Sequence, residues 1–428
     1  MRRTQRKQTK TGRGRKPVAR GESSKGGKGG PSREHMPGQT AARGKQVRPR
    51  PHPRSHHEDK TQVEHVLPAA AVARLQEADA RLRERTPLRV GQWLWTMREG
   101  AERDVVEELL LKGDLRPHGV VPSLVASDGA PTDENSRPDV TFARQGFPIA
   151  ALARGMSAQA IADALVPTLV TAVGDTASYG LHVFVPDSTA ANALAQRAQA
   201  VEAELATRLL GALPDRARVQ DFELRRSSVP VLQVCLYKED KVAAGALPAD
   251  RCLSTAAGGR GRMRLHSAAP SRAARKLEEA FAWLGVSPGP GELCVDLGAA
   301  PGGWSWLLLE RRARVIAVDR ARMDKHLSEN GRLRHVRGNA FEFAPEETVD
   351  WLFCDMAWRP LEVARMLARW ARKRYTRFLV ANFKLPMKRK AEMVEQLRGT
   401  LAAGGFSNIR TRQLYHDREE ITLTAYVR

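Results

Sequence analysis

Residues 296–319, DLGAAPGGWSWLLLERRARVIAVD, hold a glycine-rich turn between two apolar runs and close on an acidic residue. That is the outline of the first βαβ unit of a nucleotide-binding sheet. The loop reads GAAPGG rather than G-x-G-x-x-G. Pro301 also removes a backbone N–H that a pyrophosphate would use. The nature of the ligand is therefore the first question this chain raises.

The strand-helix alternation continues on both sides. ELCVDLG, RVIAVD, VDWLFCDM, RFLVANFKL and EEITLTAYV read as strands. SRAARKLEEAFAWLG reads as a helix with Ser271 at its N-cap and Leu277, Phe281 and Leu284 on one face. Residues 270–428 are thus expected to form an α/β domain, a Rossmann-like doubly wound sheet. Ligands of such sheets sit beyond the carboxyl ends of the strands. Asp296 and the loop from Gly298 to Gly303 lie at the end of the first strand, and Asp319 ends the second. A carboxylate there can accept from both hydroxyls of a ribose. Gly298, Gly302 and Gly303 would let the backbone approach the ligand. A ligand with a sulfonium and no phosphates loses little to Pro301. S-adenosylmethionine is such a ligand; a dinucleotide is the competing reading. Lys276, Asp355, Lys384 and Glu420 each read alone as an ordinary surface or strand-end charge. Together they form a lysine, aspartate, lysine, glutamate series on the ligand-binding edge.

The remainder of the 428 residues divides by composition. Residues 1–86 open with 18 Lys/Arg against 4 Asp/Glu in the first 60, a surplus of +14 out of the chain's +22. Such a stretch cannot bury enough apolar surface to offset chain entropy and is expected to be a disordered basic tail, with a helix possible over 68–86. Residues 87–240 read as an α+β domain: QWLWTM, DVTFARQ, YGLHVFVP and VPVLQVCLYK as strands, GAERDVVEELLLKG and TAANALAQRAQAVEAELATRLLGAL as helices. Residues 241–269 read as a basic connector in which Arg260, Arg262 and Arg264 could meet RNA phosphates or simply be solvated. A basic surplus of this size favours a polyanionic partner. No apolar run of about 18 residues predicts a membrane span, and the basic N-terminus lacks the apolar core of a secretory signal. Cys235, Cys252, Cys294 and Cys354 have no CxxC spacing and read as small core residues suited to a reducing cytoplasm.

PSRAARKLEEAF, DLGAAPGGW, CDM, FKLPMK and QLYHDREE resemble the M family of large-subunit ribosomal RNA ribose 2′-O-methyltransferases. TFARQ and HVFVPDS, more weakly, resemble fragments of that family's N-terminal RNA-binding domain, of the THUMP type. The resemblance covers 270–428 strongly, about 88–240 weakly, and leaves the tail outside. It implies S-adenosylmethionine-dependent methylation of a cytidine ribose in 23S rRNA or a large-subunit precursor. From the residues themselves no cluster of metal ligands is visible and no metal is expected, and the sequence leaves the oligomeric state open, a monomer included. The resemblance also implies a cofactor site of Ser271, Asp296, Gly298, Ala300, Pro301, Gly302, Gly303, Asp319, Asn339 and Asp355. Ala300 stands where the family has cysteine, and Asn339 where it tends to have aspartate; an amide can still meet an adenine edge.

For methyl transfer, Lys384 is expected to be the general base, which requires a pKa below the ordinary 10.4 or so. Lys276 nearby would depress it by like-charge repulsion, Asp355 would orient it, and Glu420 would hold Lys276. Arg365, Arg369, Arg372 and Lys373 share a helix face, and Lys388, Arg389 and Lys390 follow the base; both groups are candidates for phosphate contact. Two other classes remain open at this point: a methyltransferase acting on another RNA or a non-RNA substrate, and a catalytically silent RNA-binding module.

Overall fold

Ala71, Leu75 and Ala78 share the buried side of the first described element, helix α1 (Ala69–Arg83). The computed structural model describes residues 69–427 except 85, 225, 226 and 265. The expected disordered tail therefore lies outside the described residues up to 68.

After α1 come β1 (Trp93–Thr96), α2 (Glu102–Lys112), β2 (His118–Val121), β3 (Leu124–Ser127) and β4 (Gln145–Pro148). These strands pair as an antiparallel sheet in the order β2-β3-β1-β4. β5 (Ala151–Arg154), α3 (Ala158–Val173), β6 (Ser178–Phe184), α4 (Ala195–Ala212), β7 (Ala217–Arg218), β8 (Pro230–Lys238) and β9 (Lys241–Pro248) form a second layer pair. Its sheet order is β5-β9-β8-β6-β7. The four-residue spacing of Ile161, Leu165 and Leu169 on α3, and of Val201, Leu205 and Leu209 on α4, gives each helix an apolar face that seals that sheet. Each fully buried Leu or Val contributes roughly 1.5–3 kcal/mol.

Three expectations for this half need correction. DVTFARQ is not one strand: Thr141 and Phe142 donate their N–H groups to the Glu108 carboxylate at 2.8 and 3.1 Å, so regular pairing begins only at Gln145. The connector does not begin at 241, because Lys241–Pro248 is β9, paired on both edges. Its run of small residues, AAGA, hid a strand whose Gly245 passes against the Pro148 carbonyl. The long helix opens as a 3-10 turn over Ala191–Leu194 before α4.

The second half runs α5 (Ala273–Leu284), β10 (Leu293–Leu297), α6 (Gly303–Glu310), β11 (Arg314–Asp319), α7 (Lys325–Ser328), β12 (Leu333–Arg337), β13 (Val349–Cys354), α8 (Pro360–Arg372), β14 (Thr376–Lys384), α9 (Lys390–Gly404), β15 (Phe406–Arg412) and β16 (Glu420–Val427). The sheet order is β12-β11-β10-β13-β14-β16-β15. All neighbours are parallel except that β16 runs antiparallel to both β14 and β15. One face is covered by α5 and α6 through Leu277, Phe281 and Leu308, packed against Phe353 of β13. The other is covered by α8 and α9 through Val363, Leu367, Trp370, Val394 and Leu397. The chain leaves β10 toward β11 on one side and returns to β13 on the other. That reversal opens a crevice beyond the carboxyl ends of β10, β11 and β13.

The two halves interlock along α2, α9 and β15. Lys390 Nζ meets Asp104 at 2.8 Å, Arg398 meets Asp139 at 2.9 Å, and the Thr141 and Thr411 hydroxyls lie 2.8 Å apart. Ser271 is not the N-cap of α5: the helix starts at Ala273, Arg272 occupies the cap position, and the Ser271 hydroxyl accepts the Ala273 N–H at 3.3 Å.

Candidate active site

A cavity of about 420 Å³ opens at the reversal point. The predicted residues Gly298, Ala300, Asp319, Asn339 and Asp355 line it, with Val318, Phe341, Met356 and Trp358 supplying apolar surface. Asp319 ends β11, and its carboxylate braces the wall: Oδ2 accepts the Ala300 N–H at 3.0 Å and Oδ1 the Ala321 N–H at 2.8 Å. Each oxygen keeps a second acceptor site for a ligand hydroxyl. Asn339 turns the far wall, accepting the Phe341 N–H at 3.2 Å while its amide donates to Glu342 at 2.6 Å. Arg369 of α8 donates to the Phe341 carbonyl at 3.0 Å, tying that wall to the helix layer.

The glycines of the loop meet protein as well as open space. A Cβ at Gly298, whose φ is 78°, would come within 2.8 Å of Met356 Cγ, so the glycine lets the ends of β10 and β13 close on each other. Gly302, with φ 118°, faces Leu327 and Met323, and Gly303 makes room for the Ser271 hydroxyl. Ser271, Pro301, Gly302 and Gly303 are accordingly absent from the residues lining the cavity. Asp296 lies beneath it in β10, 1% exposed. Burial pushes its carboxyl up to about 7, against the Ser305 hydroxyl that donates to it at 2.7 Å; its other oxygen has no partner.

The four charged residues converge at the neighbouring strand ends. Glu420 opens β16 and is the register partner of Lys384 at the end of β14. Lys276, one turn into α5, donates to the Glu420 carboxylate. Asp355 follows β13, its N–H on the Leu297 carbonyl at 3.2 Å. Burial raises the Asp355 pKa, with Lys276 and Lys384 opposing the rise and Glu420 adding to it. Burial alone would lower Lys276, yet Asp355, Glu420 and Asp417 hold its pKa above the ordinary value. Lys276 is therefore held as a cation by the carboxylates around it. Lys384 itself is exposed; of the four, only Asp355 is among the residues lining the cavity.

Other expected contacts divide. Arg365, Arg372 and Lys373 are exposed on α8. Lys390 is buried between Asp104 and Glu419, and Arg389 pairs with Glu392, so neither is free for a phosphate; Lys388 is exposed. Arg260 is held by the Val185 and Pro186 carbonyls at 2.9 and 2.7 Å, while Arg262 and Arg264 are exposed.

Residues 269–373 match the FtsJ-like methyltransferase family. Among curated proteins, the ribosomal RNA large subunit methyltransferase M of Methylococcus capsulatus is 40% identical over 273 residues, 61% of this chain and 74% of that one. Its counterpart in Alkalilimnicola ehrlichii is 36% identical, covering 70% and 82%. The one in Halorhodospira halophila is 34% identical over 342 residues, 78% of this chain and 96% of that one. The chain belongs to the ribosomal RNA large subunit methyltransferase M family. Within this methyltransferase fold the sequence reading passed over Asn382, Thr422 and Asp417. Asn382 is buried two residues before Lys384 on the same strand face and accepts the Thr422 hydroxyl at 2.8 Å. The period of two along β14 was the available signal. Asp417 sits below Thr422 at 3.1 Å, and burial drives its carboxyl well above the ordinary range. Phe341, Met356 and Trp358 carried no motif; only the folded chain brings them to the cavity.

Proposed function

We propose that this protein transfers a methyl group from S-adenosylmethionine to the 2′-oxygen of a ribose, a cytidine, in 23S ribosomal RNA or a large-subunit precursor. The observation that carries the reading is the convergence of Lys276, Asp355, Lys384 and Glu420 beside a cavity that ends at Asp319.

The cavity suits the cofactor chemically. It offers Asp319 to the hydroxyls of a ribose, apolar surface from Val318 and Phe341 to an adenine, Asn339 to the adenine edge, and the Asp355 carboxylate to a sulfonium. Its lining holds two carboxylates and a single arginine, Arg320, a charge balance that favours a cation over a pyrophosphate. When bound, S-adenosylmethionine supplies an activated methyl group. Lys384 takes the proton from the 2′-hydroxyl at the cavity rim as the oxygen attacks in line. Asp355, whose carboxyl feels the charge of both lysines, orients the Lys384 amine. The Lys276–Glu420 pair fixes one edge and keeps Glu420 from competing for the base.

Residues 87–240 are proposed as the RNA-binding domain of the THUMP type, joined by the stretch ending at 269 to the catalytic domain at 270–428. The basic stretch within 1–86 is proposed to add phosphate contacts. Ribose-methylation mapping of 23S rRNA from a strain lacking the gene tests the whole reading. One ribose should lose its methyl group and regain it with the wild-type gene but not with Lys384→Ala. An unchanged map would refute it.

A further inference from the structure

Between the two halves of the fold lies a second cavity, of about 430 Å³, lined by five arginines and three carboxylates. Arg410 on β15 is its most unusual member. Its guanidinium stacks on Trp283 of α5 at 4.8 Å, and among the described residues no hydrogen bond or ion pair holds its charge. The nearest carboxylates are already engaged. Asp139 pairs with Lys112 and Arg398, and Asp133 accepts the Asn135 and Arg137 N–H groups. Burial, with Arg137 adding to it and Asp133 and Asp139 opposing it from a distance, lowers the Arg410 pKa to about 10. The indole N–H of Trp283 is buried and also lacks an acceptor. Arg137 and Arg262 stand on the same cavity, Arg262 exposed, and Arg412 forms its floor with its Nε unpaired. A smaller cavity of about 270 Å³ on the other side shares Arg137, Trp283, Arg410 and Arg412.

A guanidinium stacked on an indole with no hydrogen-bonded counter-ion among the described residues, beside further arginines, gains from an anion that completes it. Of the three lining carboxylates, Glu279 accepts the Tyr415 and His416 N–H groups, Asp221 meets His182, and Asp250 takes Arg137 through its backbone carbonyl at 2.9 Å; among the described residues none of them pairs with Arg410. We propose that this cavity is a phosphate-binding site, with Arg410, held on the Trp283 ring, as its inner donor and Arg137 and Arg262 at its mouth. The occupant is a backbone phosphate of the RNA substrate, an assignment that rests on the function proposed above. Arginine presents paired N–H groups that match phosphate oxygens, and Trp283 holds the guanidinium plane in place. α5 carries Lys276 toward the reacting end and Trp283, seven residues on, toward this cavity. One helix would thereby register a bound strand against the catalytic residues.

The test uses the full chain. Inorganic phosphate is titrated by calorimetry and thermal unfolding at matched ionic strength with chloride. Wild type should bind phosphate and gain thermal stability. Arg410→Gln should weaken phosphate binding about ten-fold or more, with an unfolding midpoint no lower than wild type in its absence, because an unpaired cation is removed. Arg262→Gln, at the exposed mouth, should weaken binding less and keeps the test valid if the first variant misfolds. Phosphate should compete with a single-stranded oligoribonucleotide from 23S rRNA. Arg410→Gln should also reduce the slope of log affinity against log salt by about one. Absence of phosphate binding by wild type, or equal binding by Arg410→Gln, overturns the site. Phosphate binding with unchanged oligoribonucleotide affinity and salt slope overturns the RNA assignment. Failure of S-adenosylmethionine binding or of ribose methylation in wild type counts instead against the proposed reaction, and is read separately from the phosphate titration.

Discussion

Replacing Asp319 separates two duties of one carboxylate. Its Oδ1 holds the Ala321 N–H at 2.8 Å in an exposed turn, where water can substitute at little cost. Its Oδ2 holds the Ala300 N–H at 3.0 Å in a part-buried loop, where Asp319→Ala leaves a donor without an acceptor. That loss should cost about 1–3 kcal/mol of stability. The same substitution removes the acceptors offered to the cofactor ribose. Charge-assisted hydrogen bonds contribute about 1.5–3 kcal/mol, so S-adenosylmethionine affinity should fall roughly 10- to 150-fold. Asp319→Asn keeps one carbonyl oxygen for Ala300, so its unfolding midpoint should recover most of the loss while cofactor affinity remains reduced. Calorimetric titration with S-adenosylmethionine, thermal unfolding without ligand, and oligoribonucleotide binding by fluorescence anisotropy read the effects independently. RNA affinity should barely change in either variant. A fall in unfolding midpoint with cofactor affinity within two-fold of wild type would show that Asp319 only braces the loop, and the assignment of the cavity would fail.

Lys384→Ala should lower single-turnover methyl transfer by about 10²–10⁴-fold with cofactor and RNA binding little affected, and Lys384→Arg should be nearly as slow because a guanidinium stays protonated; near-normal transfer by the arginine variant would remove the general-base role. Asp296, raised by burial from 3.8 to about 7, contributes stability that is complete below about pH 4 and is lost as the pH rises through 7. Wild type should therefore weaken progressively between about pH 4 and pH 7 relative to Asp296→Asn, by at most about 4 kcal/mol in all, and level above that; parallel urea melts of the two across that range would contradict this. Lys390→Met strands Asp104 in the interface between the halves and should cost about 3–5 kcal/mol, whereas adding Asp104→Leu should return much of it. Equal unfolding midpoints for the single and double variants would show that the pair is not coupled.

Local pattern was enough for the parts of this protein that depend on periodicity and chain order. Apolar runs ending in Asp296, Asp319, Asp355 and Lys384 marked strands whose ends must share one edge, and helix-spaced Leu277 and Phe281 marked the covering face. Strand direction and the right-handed crossover then place those residues together without further information. The motifs carried the family for the same reason: the loop, the strand-end acids and the lysines are fixed by position along the chain. Charge partners were not legible in this way. Lys390, six residues beyond the base in α9's first turn, is as basic in the sequence as Lys388, yet one is buried against Asp104 of α2 and the other exposed. Thr141–Arg144 had the composition of a strand, but Glu108, 33 residues earlier, takes its first N–H groups. Arg410 and Trp283 are 127 positions apart, and nothing in either segment indicates that one stacks on the other in a cavity short of anions. Long-range packing decides these features because the stability of a buried charge depends on which groups surround it, and those groups come from elements that meet only when the two halves close on each other.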